Sequence, residues 1–348
     1  MANTIKLKRG NAAAWTAADP TLAAGEFGFE TDTGKFKTGD GSTAWSSLSY
    51  FEVAAPEAWS FQGENYGYSV AGTGAQTDIQ QFSFASDGNA TDVGDVPSYV
   101  YRVAGHSSSE TGYTSGGSPS TNAANRITKF PFASGGTATA GGNLATSVQL
   151  YYHAGHSSSE NGYTSGGTDS PTISMISKFP FSTDANAADV GDLLVDIFGA
   201  AGHSSPEYGY TTGGIDPVSA VNTIQKFPFA ADGDSTDVGD LTVSKYYGAG
   251  LNSDTAGYYV KGAPFLSVIE KFSFASDENA SNIGNLVFGA ASTAGSSSTS
   301  SGYTAGGYIP GPVTQTTAID KFSFSTDSDA ASVGTLVEAA RNNSGCQY

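Results

Sequence analysis

The sequence predicts an all-β protein, most of it six tandem copies of one four-stranded unit, and three observations predict this. The first is composition: 45 glycines, 18 tyrosines and 20 phenylalanines stand in 348 residues of which only 14% are charged. Helix formers are scarce, whereas aromatic and β-branched residues are frequent. The second is an F-x-F pair at Phe82/Phe84, Phe130/Phe132, Phe179/Phe181, Phe227/Phe229, Phe272/Phe274 and Phe322/Phe324, at successive spacings of 48, 49, 48, 45 and 50 residues. The third is Gly-Tyr followed closely by glycine, with its tyrosines at Tyr68, Tyr113, Tyr163, Tyr210, Tyr258 and Tyr303. Two independent anchors sharing one period mark a repeat architecture.

The fourth copy illustrates the unit. Strand B is expected at Gly209–Gly214 and strand C at Asn222–Phe229, where Ile224, Lys226 and Pro228 alternate with Gln225, Phe227 and Phe229. A turn-rich AADGDSTDVGD follows, with strand D expected to begin near Leu241 and the next strand A over Tyr246–Asp254. Period-2 alternation between Gly/Asp/Asn/Ser clusters is the pattern of short antiparallel strands.

One four-stranded sheet cannot bury both faces, so neighbours must stack on it, and six units of this size are expected to close into a six-bladed β-propeller. The chain end fits closure. Nine residues separate Val96 from Gly105, Leu193 from Gly202, Leu241 from Gly250 and Leu286 from Gly295, and the same spacing runs from Leu336 to Gly345 just before the last residue. Residues 341–348 therefore read as a strand A that completes the first unit. The expected domains are 1–55, a separate module, and 56–348, the propeller closed by 341–348. An open solenoid of six units is the competing reading. The motif order GYTSGG, TIQKFPF, VGDL and GAGHSS is similar to the kelch repeat of β-propellers, although the Trp that follows the kelch C–D turn is absent.

Residues 1–55 do not share the repeat. They suggest a strand at Ile5–Lys8, a helical turn around Ala12–Ala17, and a hairpin of Phe27–Glu30 and Lys35–Thr38 around TDTG. Leu7–Gly10, Ala13–Trp15 and the long run G-E-x-G-x-E-T-D-T-G-K-x-K-x-G-D-G-S-T-A-W-x-x-L over Gly25–Leu48 resemble the N-terminal module of bacteriophage tail fibres and tropism-determining proteins. That resemblance implies attachment to other virion proteins and a homotrimer.

The formal charge is −18, which disfavours nucleic acid and anionic lipid as partners. No run of 18 apolar residues exists, so no membrane insertion is expected. No signal-peptide core stands in MANTIKLKRG, so the expectation is synthesis in the host cytoplasm. Cys346 is the single cysteine, which rules out an intrachain disulfide.

Three histidines, His106, His156 and His203, share one repeat slot that elsewhere holds Leu251, Ser296 and Cys346. A slot that tolerates Leu reads as structural rather than as a metal site, and no metal or other cofactor is expected. The C–D turns concentrate acids, including Asp87, Asp184, Asp232, Asp277 and Asp327, but lack the spacing of a calcium loop. No G-x-S-x-G, H-E-x-x-H or phosphate-cradling loop is present, and the chain is expected not to be an enzyme, with no catalytic residues. The D–A segments are rich in aromatics and lie at the same end as the variable B–C loops. The candidate ligand-binding residues are Tyr99, Tyr101, Arg102, Tyr151, Tyr152, Phe198, Tyr246 and Tyr247. The expected function is a phage virion protein, a tail fibre or receptor-binding protein whose propeller recognises host surface glycan or protein. A capsid-decoration or tail-adaptor role is the alternative, and a glycan depolymerase the third.

Overall fold

A computed structural model describes residues 7–51, 62–74, 76–119, 125–146, 149–168, 171–312 and 314–348. The chain divides into two units, Met1–Ala58 and Trp59–Tyr348. Ile5, Lys6 and Trp59, and parts of the B–C loops at 118–126 and 168–175, lie outside the described residues.

In the first unit, Lys8–Gly10 pairs in parallel with Phe27–Glu30, which pairs antiparallel with Phe36–Thr38. The helix Ala12–Ala18 starts where the Asn11 side chain accepts from the Ala14 N–H at 2.7 Å. Its one buried residue, Trp15, stacks on Trp45 with ring centroids 4.1 Å apart, and Leu22 completes this small core. The motif residues hold the hairpin to that core. Lys37 is buried and donates to the Trp45 carbonyl at 2.8 Å, while Asp40 accepts from the Ser42 and Thr43 N–H groups.

The second unit is all-β. Its described residues form six four-stranded antiparallel sheets, each in the order A-B-C-D. In the fourth sheet these strands are Ala201–Ser204, Tyr208–Thr212, Thr223–Pro228 and Thr236–Asp240. The first sheet takes its strand A from the chain end. Ser344–Gln347 pairs antiparallel with Tyr66–Gly72, with Gly345 opposite Ser69 and Cys346 opposite Tyr68.

Strand D differs from expectation. It is the segment TDVGD, Thr236–Asp240, that ends the turn-rich stretch, and Leu241 lies just after it, buried. Gly239 is the reason: at φ 150° it sits where the register shifts between Ile224 and Gln225, and an added Cβ would lie 2.6 Å from the Glu278 carbonyl of the next sheet. A glycine that marks a turn by composition here permits a bulge pressed against a neighbour.

Packing between sheets is as periodic as the sequence. Tyr210 of the fourth sheet stacks on Phe274 of the fifth at 4.9 Å and meets Phe272 at 5.5 Å. The same contact joins Tyr68 to Phe130 and Phe132, Tyr113 to Phe179 and Phe181, Tyr163 to Phe227 and Phe229, and Tyr258 to Phe322 and Phe324. Tyr303 of the sixth sheet then meets Phe82 and Phe84 of the first. The two anchors of the repeat are thus the two halves of one intersheet contact. Burial of each such ring contributes about 1.5–3 kcal/mol.

A second cycle joins the strands A. The Ser107 N–H donates to Ser157 Oγ, Ser157 to Ser204 Oγ, Ser204 to Asn252 Oδ1, Asn252 to Ser297 Oγ, Ser297 to Gln347 Oε1, and Gln347 back to Ser107 Oγ, all at 2.9–3.2 Å. Backbone proximity enforces small residues there. A Cβ on Gly202 would lie 2.2 Å from the Gly155 carbonyl oxygen.

Candidate functional site

Three residues before each strand-A glycine lies a residue in the left-handed region: Arg102, Tyr152, Gly199, Tyr247, Ser292 and Asn342, with φ between 55° and 69°. Each turns the chain from strand D into the next strand A. Their backbones close a third cycle. The N–H of Tyr152 donates to Arg102 O, Gly199 to Tyr152 O, Tyr247 to Gly199 O, Ser292 to Tyr247 O, Asn342 to Ser292 O, and Arg102 to Asn342 O, at 2.6–3.2 Å. This collar surrounds a pocket of about 80 Å³. The collar residues and the residue after each, His153 and Asn343 among them, line it.

Of the eight candidates, Arg102, Tyr152 and Tyr247 line the pocket. Tyr152 and Tyr247 lie 4.4 Å apart, centroid to centroid, and the Arg102 guanidinium carbon lies 4.6 Å from the Tyr152 ring. Tyr101 and Tyr151 flank the same guanidinium at 5.1 and 5.6 Å. Phe198 packs on Tyr152 and Tyr247 at 6.4 Å, and Tyr246 on Tyr247 at 5.0 Å. Tyr99 reaches only Tyr101, at 5.4 Å among the ring contacts of the described residues, and does not line the pocket. Burial raises the pKa of the Tyr152 and Tyr247 hydroxyls, keeping them protonated donors at neutral pH. Sequence reasoning missed Ser292, Asn342 and Gly199. Their signal was the shared slot, three residues before the strand-A glycine, and not their side-chain type.

The D–A and B–C segments do meet at this end. Val100–Tyr101 pairs with Ser118–Pro119, and bridges join Tyr151 to Thr168, Phe198 to Ile215, Tyr246 to Ala263 and Ala291 to Tyr308.

The repeated histidines point elsewhere. His106, His156 and His203 are buried, with Nδ1 3.0–3.2 Å from the carbonyls of His156, His203 and Leu251 respectively. Nε2 lies 2.8–2.9 Å from Ser115 Oγ, Ser165 Oγ and Thr212 Oγ1. A carbonyl can only accept, so Nδ1 carries the proton and Nε2 accepts from the hydroxyl. Desolvation pushes the three pKa values down to about 4, 3 and 4, and that of His153 to about 3, so all are neutral at pH 7. No group of three or more His, Cys, Asp or Glu among the described residues could hold a metal ion.

The turn aspartates are also engaged. Lys178 pairs with Asp232 at 2.8 Å, Lys226 with Asp277 at 2.6 Å, Lys271 with Asp327 at 3.3 Å and Lys321 with Asp87 at 3.0 Å, each across a junction, and Lys129 pairs with Asp184. At the remaining junction the two slots hold Gln81 and Gly135, so both partners are missing together.

Residues 5–43 match the major tropism determinant N-terminal domain. A curated hyaluronoglucosaminidase of Streptococcus pyogenes phage H4489A is 48% identical over 46 residues, which are 13% of this chain and 12% of that protein. The two matches support a bacteriophage protein of the tropism or tail type. The second also corrects an expectation. A relative that is named as an enzyme means the chain cannot be set down as a non-enzyme. The absence of a linear motif does not decide the matter, because glycosidase chemistry rests on two carboxylates brought together by a fold, with no fixed spacing in sequence. No helix among the described residues is long and apolar enough to cross a membrane.

Proposed function

We propose that the chain is a virion tail protein of receptor-binding type. The first unit attaches it to other virion proteins, and the six sheets form a six-bladed, kelch-like β-propeller whose collar end meets host surface glycan or protein. The observation that carries this reading is the collar itself. Rigid backbone cycles hold an aromatic, arginine-bearing pocket beside the most variable loops, which is how recognition is built on a fixed scaffold. The first unit leaves Leu7, Phe27 and Phe51 exposed, which supports self-association of this unit as a homotrimer. The test is competition: purified chain should block phage adsorption to host cells, and replacement of the loops at 215–222 and 308–316 should abolish the block. Undiminished competition by the loop variant would sink the receptor role, and no competition by the unaltered chain would favour a decoration or adaptor role.

A glycosidase activity is the second reading, favoured by the hyaluronoglucosaminidase match. No carboxylate lines the collar pocket, so a hydrolytic pair would have to lie elsewhere. Appearance of new reducing ends on host polysaccharide would establish it.

A further inference from the structure

Arg102 is set apart by its place: Arg341 also has a buried, unpartnered Nε and packs on a tyrosine ring, but it does not line the collar pocket. The chain carries a formal charge of −18, and all seven lysines after residue 62 are already committed to carboxylates. Arg102 has no carboxylate within ion-pair distance among the described residues, although it is the one cation lining the collar pocket. Three tyrosine rings hold its guanidinium in place, and its Nε is buried without a hydrogen-bond partner. Asn342 is the collar residue next to Arg102 and Ser292 the one after it, and the Tyr247 ring, packed on Tyr152, fills the space beside Gly199.

These features fit one chemistry. A planar guanidinium fixed by stacking offers two parallel N–H groups to a carboxylate, a match that an ammonium cannot make. Tyrosine faces suit the C–H face of a sugar ring, and hydroxyl and amide side chains suit its hydroxyls. With one cation in the pocket lining, the favourable ligand charge there is limited to about one unit. The volume of about 80 Å³ admits the carboxylate end of one terminal unit and leaves the rest of its ring at the mouth. We propose that the collar pocket binds the carboxylate-bearing terminal sugar of an anionic glycan, with the Arg102 guanidinium on the carboxylate. This deepens the receptor-binding reading and rests on it.

The test uses the full chain, with glucuronic acid and N-acetylneuraminic acid as probes and glucose as the neutral control, read by titration calorimetry. The variant is Arg102→Asn, because Asn342 occupies the same left-handed slot naturally and unchanged melting would show the fold intact. At least one acid should bind with a millimolar constant and glucose at least tenfold more weakly. Arg102→Asn should weaken the acid at least tenfold, and Arg102→Lys should fall between, since charge without the fork is retained. Equal binding of acid and glucose, binding indifferent to Arg102→Asn, or no binding of either acid at 20 mM (roughly ten times the expected constant) would overturn the proposal. Adsorption separates the two levels of failure. If Arg102→Asn competes for host cells as well as the unaltered chain while the loop replacement does not, the acidic-sugar assignment falls and the receptor role stands.

Discussion

Gly202 and His156 show how a single side chain, or its absence, is fixed by the neighbouring sheet. A methyl group on Gly202 would press on a backbone carbonyl that is itself held in a strand, so nothing flexible can yield. Gly202→Ala should cost about 3 kcal/mol or more, the upper range for overpacking. Gly233→Ala, where the added carbon meets nothing within 4 Å, should stay within about 0.5 kcal/mol. Comparing their denaturant midpoints checks both. The histidines give a pH signature. Their folded pKa values lie below the ordinary 6.5, so between about 4 and 6.5 the unfolded chain binds more protons than the folded one. The stability they supply is complete above pH 6.5 and is lost as pH falls toward 4. Melting temperature should therefore drop between pH 7 and pH 4.5. The drop should be shallower in His203→Leu, which copies the Leu251 of the next sheet; an equal drop in that variant would place the proton uptake elsewhere.

At the scale of strands and junctions, two kinds of ion pair make opposite predictions. The Lys–Asp pairs reaching the C–D turns have half-exposed aspartates open to solvent screening, so Lys226→Met should lose about 1 kcal/mol, and less in high salt. Lys261 and Asp320, 3.4 Å apart, are both fully buried; desolvation lowers the one pKa and raises the other. Removing only Lys261 strands a carboxylate in the interior, and Lys261→Met should cost about 3–5 kcal/mol. Lys261→Met with Asp320→Leu should recover most of that in urea unfolding. Legibility in the sequence divides along similar lines. The F-x-F and Gly-Tyr anchors could be read because one contact, repeated at every junction, demands the same side chains each time. Strand D was misplaced because Gly239 carries the composition of a turn into a bulge. The collar was legible only through its aromatics, because Arg, Tyr, Gly, Ser and Asn share a backbone conformation there and no side-chain property. Tyr99 looked equivalent to Tyr101 by composition, but Tyr101 packs on the Arg102 guanidinium whereas Tyr99 packs on the Tyr101 ring.

For the whole molecule, three hydrogen-bonded or aromatic cycles run through all six sheets, and the two hydrogen-bonded ones each include a residue of the segment 341–348. Deleting residues 341–348 removes Asn342 from the collar and Gln347 from the strand-A cycle, and leaves Tyr66–Gly72 without its partner. The loss should be global: a single cooperative transition shifted by more than 10 °C, or failure to fold. A deletion variant that melts with the full-length chain would show that the cycles do not share their stability.

The collar hydrogen bonds use main-chain atoms alone, one N–H and one C=O from each of six residues. Nothing about the ring depends on which side chains it carries, and within this one chain five different residue types already occupy it. Six codons could therefore drift separately, limited mainly by tolerance of positive φ, and each change would redraw the pocket without loosening its wall. A phage pressed to follow a changing host surface would have its adaptable positions gathered on one rigid hoop.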